Sequence, residues 1–138
     1  MKSNFQLAWL GVIGLALVVM VNTLAYRFAW YWQFSWLDLV MHTIGGLTIV
    51  LLSISLTSLI SESVKTVFLA ALLTTLIAGV LWELLQYGSY AIGWHTFNAL
   101  QLGWSDTLSD LASDVVGGVL AWLLWLDIKD RKNYGTTT

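Results

Sequence analysis

The chain has 138 residues, of which 58% are hydrophobic and only 10% charged, with a net charge of -2 and no cysteine or proline. Its mean hydropathy is +0.76. An ordinary soluble domain carries about 25% charged residues, so this composition excludes disorder, nucleic-acid binding, a coiled-coil rod and a disulfide scaffold, and it predicts an integral membrane protein.

Four apolar runs follow one another. The first is 5–26, which holds no charge; at about 1.5 Å per residue, 22 residues span a hydrocarbon core of about 30 Å. It is too long for the apolar core of a signal peptide, and no convincing small-x-small cleavage site follows it. The second run, 36–60, carries Asp38 and His42 near its start. The third, 66–87, carries Glu83 near its end, and the fourth, 107–126, carries Asp110 and Asp114 in its first half. Backbone groups in hydrocarbon must be satisfied within their own segment, so the runs are predicted as helices. None alternates as a barrel strand would. The predicted fold is a single all-α domain of four transmembrane helices.

Between them lie an aromatic loop, Arg27 to Ser35, a tight polar turn, Ser61 to Lys65, and one long amphipathic loop, Gly88 to Asp106, predicted to lie at the membrane surface and to hold His95. Residues 127–138 read as a flexible tail. An even number of spans puts both termini on one side. Lys2, Lys65, Lys129, Arg131 and Lys132 share that side and Arg27 stands alone on the other, so the positive-inside rule predicts cytoplasmic termini in a cell membrane. Trp30, Trp32, Trp36, Trp82, Trp94 and Trp104 then fall at the outer boundary and Trp9, Trp122 and Trp125 at the inner one, as an aromatic belt does.

The same topology gathers the ionisable groups. Asp38, His42, Glu83, Asp106, Asp110 and Asp114 all fall in the outer half of the membrane or at its edge. Asp38 and His42 are spaced i, i+4, as are Asp106, Asp110 and Asp114, while Glu83, Gln86 and Tyr87 form an i, i+3, i+4 face. A carboxylate in a bilayer costs about 2.5–3.5 kcal/mol even on lenient scales unless it is paired, ligated or protonated. The predicted site therefore has Asp38, Glu83, Asp110 and Asp114 holding a hard divalent cation, Mg²⁺, Mn²⁺ or Ca²⁺. His42 is predicted as base or fifth ligand, with Asp38 and Glu83 beside it in catalysis, and Asp106, Gln86 and Tyr87 line the cavity. Plainer roles stand beside these: Asp106 as an N-terminal cap, Asp38 as an anchor in the headgroup layer, His42 as an interior histidine bonded to Asp38.

A repeat of nine residues supports the arrangement. DLVMHTIGG at 38–46 matches DLASDVVGG at 110–118, offset by 72 throughout. Two parallel helical hairpins would produce it. Gly45, Gly46, Gly117 and Gly118 are predicted to let the two helices pack closely beneath the polar turn.

These residues bear a resemblance to a known group. Asp-x-x-x-His in the second span, WE in the third, and Asp-Thr-x-x-Asp-x-x-x-Asp-x-x-Gly-Gly opening the fourth resemble the VanZ-like and YjdF-like small bacterial inner-membrane proteins, over 37–125. The resemblance marks Asp38, His42, Gly46, Glu83, Asp106, Asp110, Asp114 and Gly118. Asp114 stands where many relatives have Asn, and GWSDT stands where many VanZ-like members have an R-x-x-D style segment. It implies a membrane location, and some VanZ-like members are linked to glycopeptide-antibiotic tolerance.

Two functions remain open at this level. One is binding of a divalent cation and an anionic or phosphorylated membrane lipid, with hydrolytic or transferase chemistry through the cation. The other is non-enzymatic: a cation or proton path, or an accessory subunit with a structural carboxylate cluster, requiring a homo-oligomer or a membrane-protein partner. No glycine-rich phosphate loop and no G-x-S-x-G elbow is present, which argues against nucleotide and serine-hydrolase chemistry.

Overall fold

The computed structural model describes residues 2–92 and 103–135. Five helices account for nearly all of them: α1 Lys2–Arg27, α2 Trp30–Gln33, α3 Leu37–Ile60, α4 Val64–Ala91 and α5 Trp104–Gly135. No strand occurs among the described residues. Within these helices, the stretches Asn4–Arg27, Leu37–Ile60, Val64–Gly88 and Trp104–Arg131 are long and apolar enough to cross a bilayer. The all-α, four-span architecture is as predicted.

Local chemistry sets the boundaries. Ala29 takes a left-handed conformation, φ 56°, which turns the chain out of α1 into the one-turn α2. The predicted aromatic loop therefore contains a helical turn, and it faces Tyr31 inward, where the residue is buried. α3 ends where Ser61 becomes extended and its N–H bonds the Thr57 carbonyl at 2.9 Å. Ser63 then starts α4, its Oγ accepting from the Thr66 N–H at 3.4 Å. α5 begins at Trp104, three residues before the predicted run, because Gly103 at φ 104° makes the turn and Asp106 in the first turn complements the helix dipole.

α5 also continues past its predicted end. The residues read as a tail remain helical to Gly135, with Arg131 Nε donating to Asp127 Oδ2 at 2.9 Å one turn apart and Lys129 lying over the Trp125 ring at 4.9 Å. These i, i+4 contacts favour helix where charge content alone suggested fraying. The long loop is correspondingly shorter than predicted, and its central part, with Trp94 and His95, lies outside the described residues.

α3 is the central helix. It packs against α1, α4 and α5, whereas α1 makes its close backbone contacts with α2 and α3 alone. One apolar core, built from Leu7, Val50, Leu51, Ile54, Val67, Ala71, Ala121 and Trp125, fills the end that carries the termini. Trp125 is thus a core residue, not part of a belt. Trp32, Trp36 and Trp104 at the opposite end are exposed, as an interfacial role requires. There a smaller core of Ala25, Tyr31 and Met41 joins α1, α2 and α3. Between these two cores lies a band of buried polar side chains.

Candidate metal centre

His42 stands at the middle of that band, 6% exposed. Its Nε2 faces three carboxylates from three helices: Asp38 Oδ1 at 4.0 Å, Glu83 Oε1 at 3.9 Å and Asp110 Oδ2 at 3.9 Å. Its Nδ1 faces a fourth, Asp114 Oδ1, at 3.3 Å. The helical spacing explains the pincer: Asp110 and Asp114 are one turn apart on α5, so one reaches each side of the imidazole. Convergence of Asp38, His42, Glu83, Asp110 and Asp114 is therefore present in the fold.

The two sides of the ring differ. The Nδ1 contact is within hydrogen-bond range, with Nδ1 as the donor to an ionised Asp114, and Nε2 faces the other three acids. His42 Nε2, Glu83 Oε1 and Asp110 Oδ1 are buried without a hydrogen-bond partner, as is Asp114 Oδ2. Among the described residues, no lysine or arginine pairs with any of the four acids. Four acids around one imidazole require positive charge among them, carried by the ring itself, by shared protons or by a cation. Asp38, His42 and Asp110 each offer a ligand atom within 4.8 Å of the others. Two coordination bonds of about 2.0–2.2 Å span the separations from Nε2. This buried group has the donor set and spacing to hold a metal ion.

The predicted ligand set changes in one respect. Asp114 meets Nδ1, on the far side of the imidazole from the other acids, and lies outside the three-residue group of Asp38, His42 and Asp110. Glu83 sits beside the three-residue set. Its Oε2 accepts a 2.7 Å hydrogen bond from Thr107, which turns Oε1 toward the imidazole. Thr107 was not among the predicted site residues, although it is the threonine of the Asp-Thr-x-x-Asp stretch and stands one turn ahead of Asp110 and Leu111 on the acidic face.

Of the other predicted lining residues, Gln86 is buried at 3% and its side chain meets Tyr26 of α1. Asp106 lies half-buried in the first turn of α5, at the rim and outside the ring of His42 contacts. Tyr87 is 61% exposed and does not line the site. Relative to Glu83, Gln86 is rotated by about 60° one way and Tyr87 by about 40° the other; α4 turns the Gln86 side to the bundle and the Tyr87 side outward.

The glycines beneath the site also divide. A Cβ on Gly46 would strike the backbone carbonyl of Asp114, and one on Gly117 would strike the Thr43 carbonyl. These two hold α3 and α5 in backbone contact. Gly45 has nothing nearer than Asp114 Oδ1 at 4.0 Å, and Gly118 rests on the Val50 side chain at 3.0 Å. The unpredicted Gly79 makes room in α4 for Asp114 Oδ2, which a Cβ would meet at 2.5 Å.

One cavity of about 180 Å³ opens onto Asp38, His42 and Asp114. Asn22 and Tyr31 also line it, bonded to each other through a short buried contact from the Tyr31 hydroxyl to Asn22 Oδ1.

The chain belongs to the family described as "Predicted membrane protein (DUF2238)", whose sequence model matches residues 1–131. That match carries the membrane assignment; it does not extend to the narrower VanZ-like or YjdF-like grouping. No curated protein matches the chain. No solved structure matches it.

Proposed function

We propose that this DUF2238 protein binds a divalent cation between His42 Nε2, Asp38 and Asp110, with Glu83 adjacent, and presents that cation to the anionic headgroup of a membrane lipid. The observation that carries the reading is the inward-facing, unpartnered Nε2 surrounded by the buried carboxylates of Glu83 and Asp110 and the partly buried one of Asp38, at 3.9–4.0 Å. One imidazole with two or three carboxylates and no thiolate suits Mn²⁺ best among Mg²⁺, Mn²⁺ and Ca²⁺. A three-residue ligand set leaves coordination positions for an incoming oxygen. A cation there would polarise a phosphoryl or ester group. With Nε2 serving as ligand, Glu83 takes over the role of general base first given to His42.

The non-enzymatic path is less well supported. Toward the terminal end, the buried hydroxyls of Thr48, Ser55 and Thr75 donate to backbone carbonyls of their own helices, and Ser53 pairs with Thr74 across α3 and α4 at 3.2 Å. The first three stay within one helix and the last joins α3 to α4, so among the described residues these hydroxyls form no relay through the bundle.

Placement in the cell membrane with cytoplasmic termini belongs to the same proposal, and so does kinship with VanZ-like and YjdF-like proteins. Reporter fusions after Trp32 should read outside and after Glu62 inside.

The cation is tested by metal analysis of the purified protein and by melting curves with Mg²⁺, Mn²⁺ and Ca²⁺. Mn²⁺ at 100 times its dissociation constant should add about 2.7 kcal/mol to the stability of the wild type. Asp38→Asn and Asp110→Asn should lose that rise. If no ion stabilises the wild type and the neutral variants melt higher than it does, the cluster is a proton-sharing knot and the cation reading fails.

A further inference from the structure

The cavity beside His42 is lined mostly by apolar side chains. Its lining covers Leu15 to Asn22 on α1 and Thr75 to Trp82 on α4, and on α3 it continues from His42 down to Ile49. Each of these stretches is seven residues of rise, about 10 Å along the helix axis. The polar members Asn22, Tyr31, Asp38 and His42 sit at the upper end, with Asp114 beside His42 Nδ1. Below them the walls are Leu15, Val18, Ile49 and Ala78, with Thr75 as the polar exception, its hydroxyl donating to the Ala71 carbonyl.

Access is from the side. α1 and α4 flank α3 without close backbone contact to one another, and the neighbouring positions Val19 and Val80 are exposed at membrane depth. The upper end is closed by the Tyr31–Asn22 bond and by the Tyr26 and Tyr31 rings, 4.9 Å apart. The lower end is closed where Gly14 and Gly11 bring α1 against Thr48 and Leu52 of α3. The opening between α1 and α4 lies at membrane depth, where a lipid reaches it by diffusing in the bilayer.

We infer that the α1–α4 cleft is the seat of one hydrocarbon chain of the lipid whose headgroup meets the His42 centre. This rests on the proposed cation site and names the substrate class for it: an amphiphile whose anionic group and first stretch of chain are recognised together. The polarity gradient matches such a molecule in direction, with the charged group at Asp38 and His42 and the chain descending toward Ile49 and Thr75. A chain there packs against the apolar walls below the polar end and removes the void that they would otherwise leave.

The test is photolabelling in phosphatidylglycerol nanodiscs doped with a phosphatidylglycerol bearing a diazirine near the head of one acyl chain, with labelled positions mapped by mass spectrometry. Labels on Leu15, Val18, Ile49 and Ala78 above those on the outward-facing Leu123 and Leu124 are expected. Ala78→Phe, which fills the cleft, should bring cleft labelling down to the Leu123 level while the Mn²⁺-dependent rise in melting temperature persists. Val19→Trp, placed on the exposed rim, should do the same and covers the case in which Ala78→Phe does not fold. Labels no stronger in the cleft than at Leu123 and Leu124 in the wild type overturn the inference. If that happens with the Mn²⁺ rise intact, the chain seat alone is wrong. Cleft labelling with no Mn²⁺ rise keeps the seat and removes the cation.

Discussion

His42 Nδ1 lies 3.3 Å from Asp114 Oδ1, and the two residues are 72 positions apart, the interval at which DLVMHTIGG and DLASDVVGG coincide. The matching pair one turn earlier, Asp38 and Asp110, meets as well: both carboxylates face the other nitrogen of the same imidazole. Equivalent positions of the repeat thus lie side by side on α3 and α5. The order of contacts along the pair is that of parallel helices, since His42 meets Asp114, Gly117 lies against Leu47 and Gly118 against Val50. The internal repeat and the cluster around His42 are one feature seen at two levels.

That pairing predicts an orienting role for Asp114. A carboxylate on the outer nitrogen of a ligating histidine fixes its tautomer, and loss of such a partner typically costs about 10–100-fold in metal affinity. Asp114→Asn keeps an acceptor and should weaken Mn²⁺ binding at the low end of that range. Asp114→Ala should weaken it further. Nitrogen-15 NMR of the histidine should report the proton on Nδ1 in the wild type and a mixture of tautomers in Asp114→Ala. Unchanged Mn²⁺ affinity in Asp114→Ala would show that the contact does not serve the centre.

The glycine contacts predict an unequal response to the same substitution. Gly46→Ala and Gly117→Ala drive a methyl group into a backbone carbonyl of the facing helix, and carbonyls cannot swing aside as side chains do. Overpacking costs about 1–3 kcal/mol even when side chains can adjust, so each should lose at least that in a thermal or denaturant melt. Gly45→Ala, with nothing closer than 4.0 Å, should stay within about 0.5 kcal/mol of wild type. Equal losses at all three positions would contradict the observed register.

The spans and the convergence of the acids were legible because both follow from large costs. Unsatisfied backbone cannot sit in hydrocarbon, and six ionisable groups do not collect at one depth without an interior to face. What periodicity does not carry is rotation about the helix axis at the scale of one side chain. It placed Gln86 and Tyr87 on one face, although α4 buries the first and exposes the second. It also listed Asp110 and Asp114 together as ligands, although they grip opposite nitrogens of His42. Thr107, Gly79 and Asn22 look unremarkable in a chain rich in small and hydroxylated residues, and only the packing of neighbouring helices gives each its role.

Asn22 and Tyr31 yield a prediction that is independent of any cation. Tyr31 is 4% exposed and Asn22 8%, and their hydrogen bond closes α2 over the top of the cavity. Burial holds the Tyr31 phenol protonated well above its ordinary range, so it acts as a donor at all physiological pH values. Tyr31→Phe strands the Asn22 side chain and should cost about 1–3 kcal/mol. Adding Asn22→Leu removes the stranded group, and the double variant should recover part of the loss. Strictly additive losses in the thermal melts of this cycle would mean that the two side chains are not coupled.

Thr107 is expected to act on the centre through Glu83. Its hydroxyl donates to Oε2 at 2.7 Å, which leaves Oε1 as the free oxygen 3.9 Å from His42 Nε2. Without that donor the Glu83 carboxylate can rotate, and it loses a charge-assisted hydrogen bond of the stronger class. Thr107→Val preserves shape and removes only the donor, while Thr107→Ser preserves the donor and trims a methyl group. If Thr107 positions Glu83, the valine variant should lose about 10-fold or more in Mn²⁺ affinity, as removal of outer partners of metal ligands does. The serine variant should bind as the wild type does. The ion-free melting temperature separates this from a packing effect: a residue that only fills space would shift the ion-free melts of both variants and leave Mn²⁺ affinity alone. Titration of Mn²⁺ into the three proteins, followed by melting temperature, therefore decides the role. Equal Mn²⁺ affinity in wild type and Thr107→Val would remove Glu83 orientation from the account of the centre.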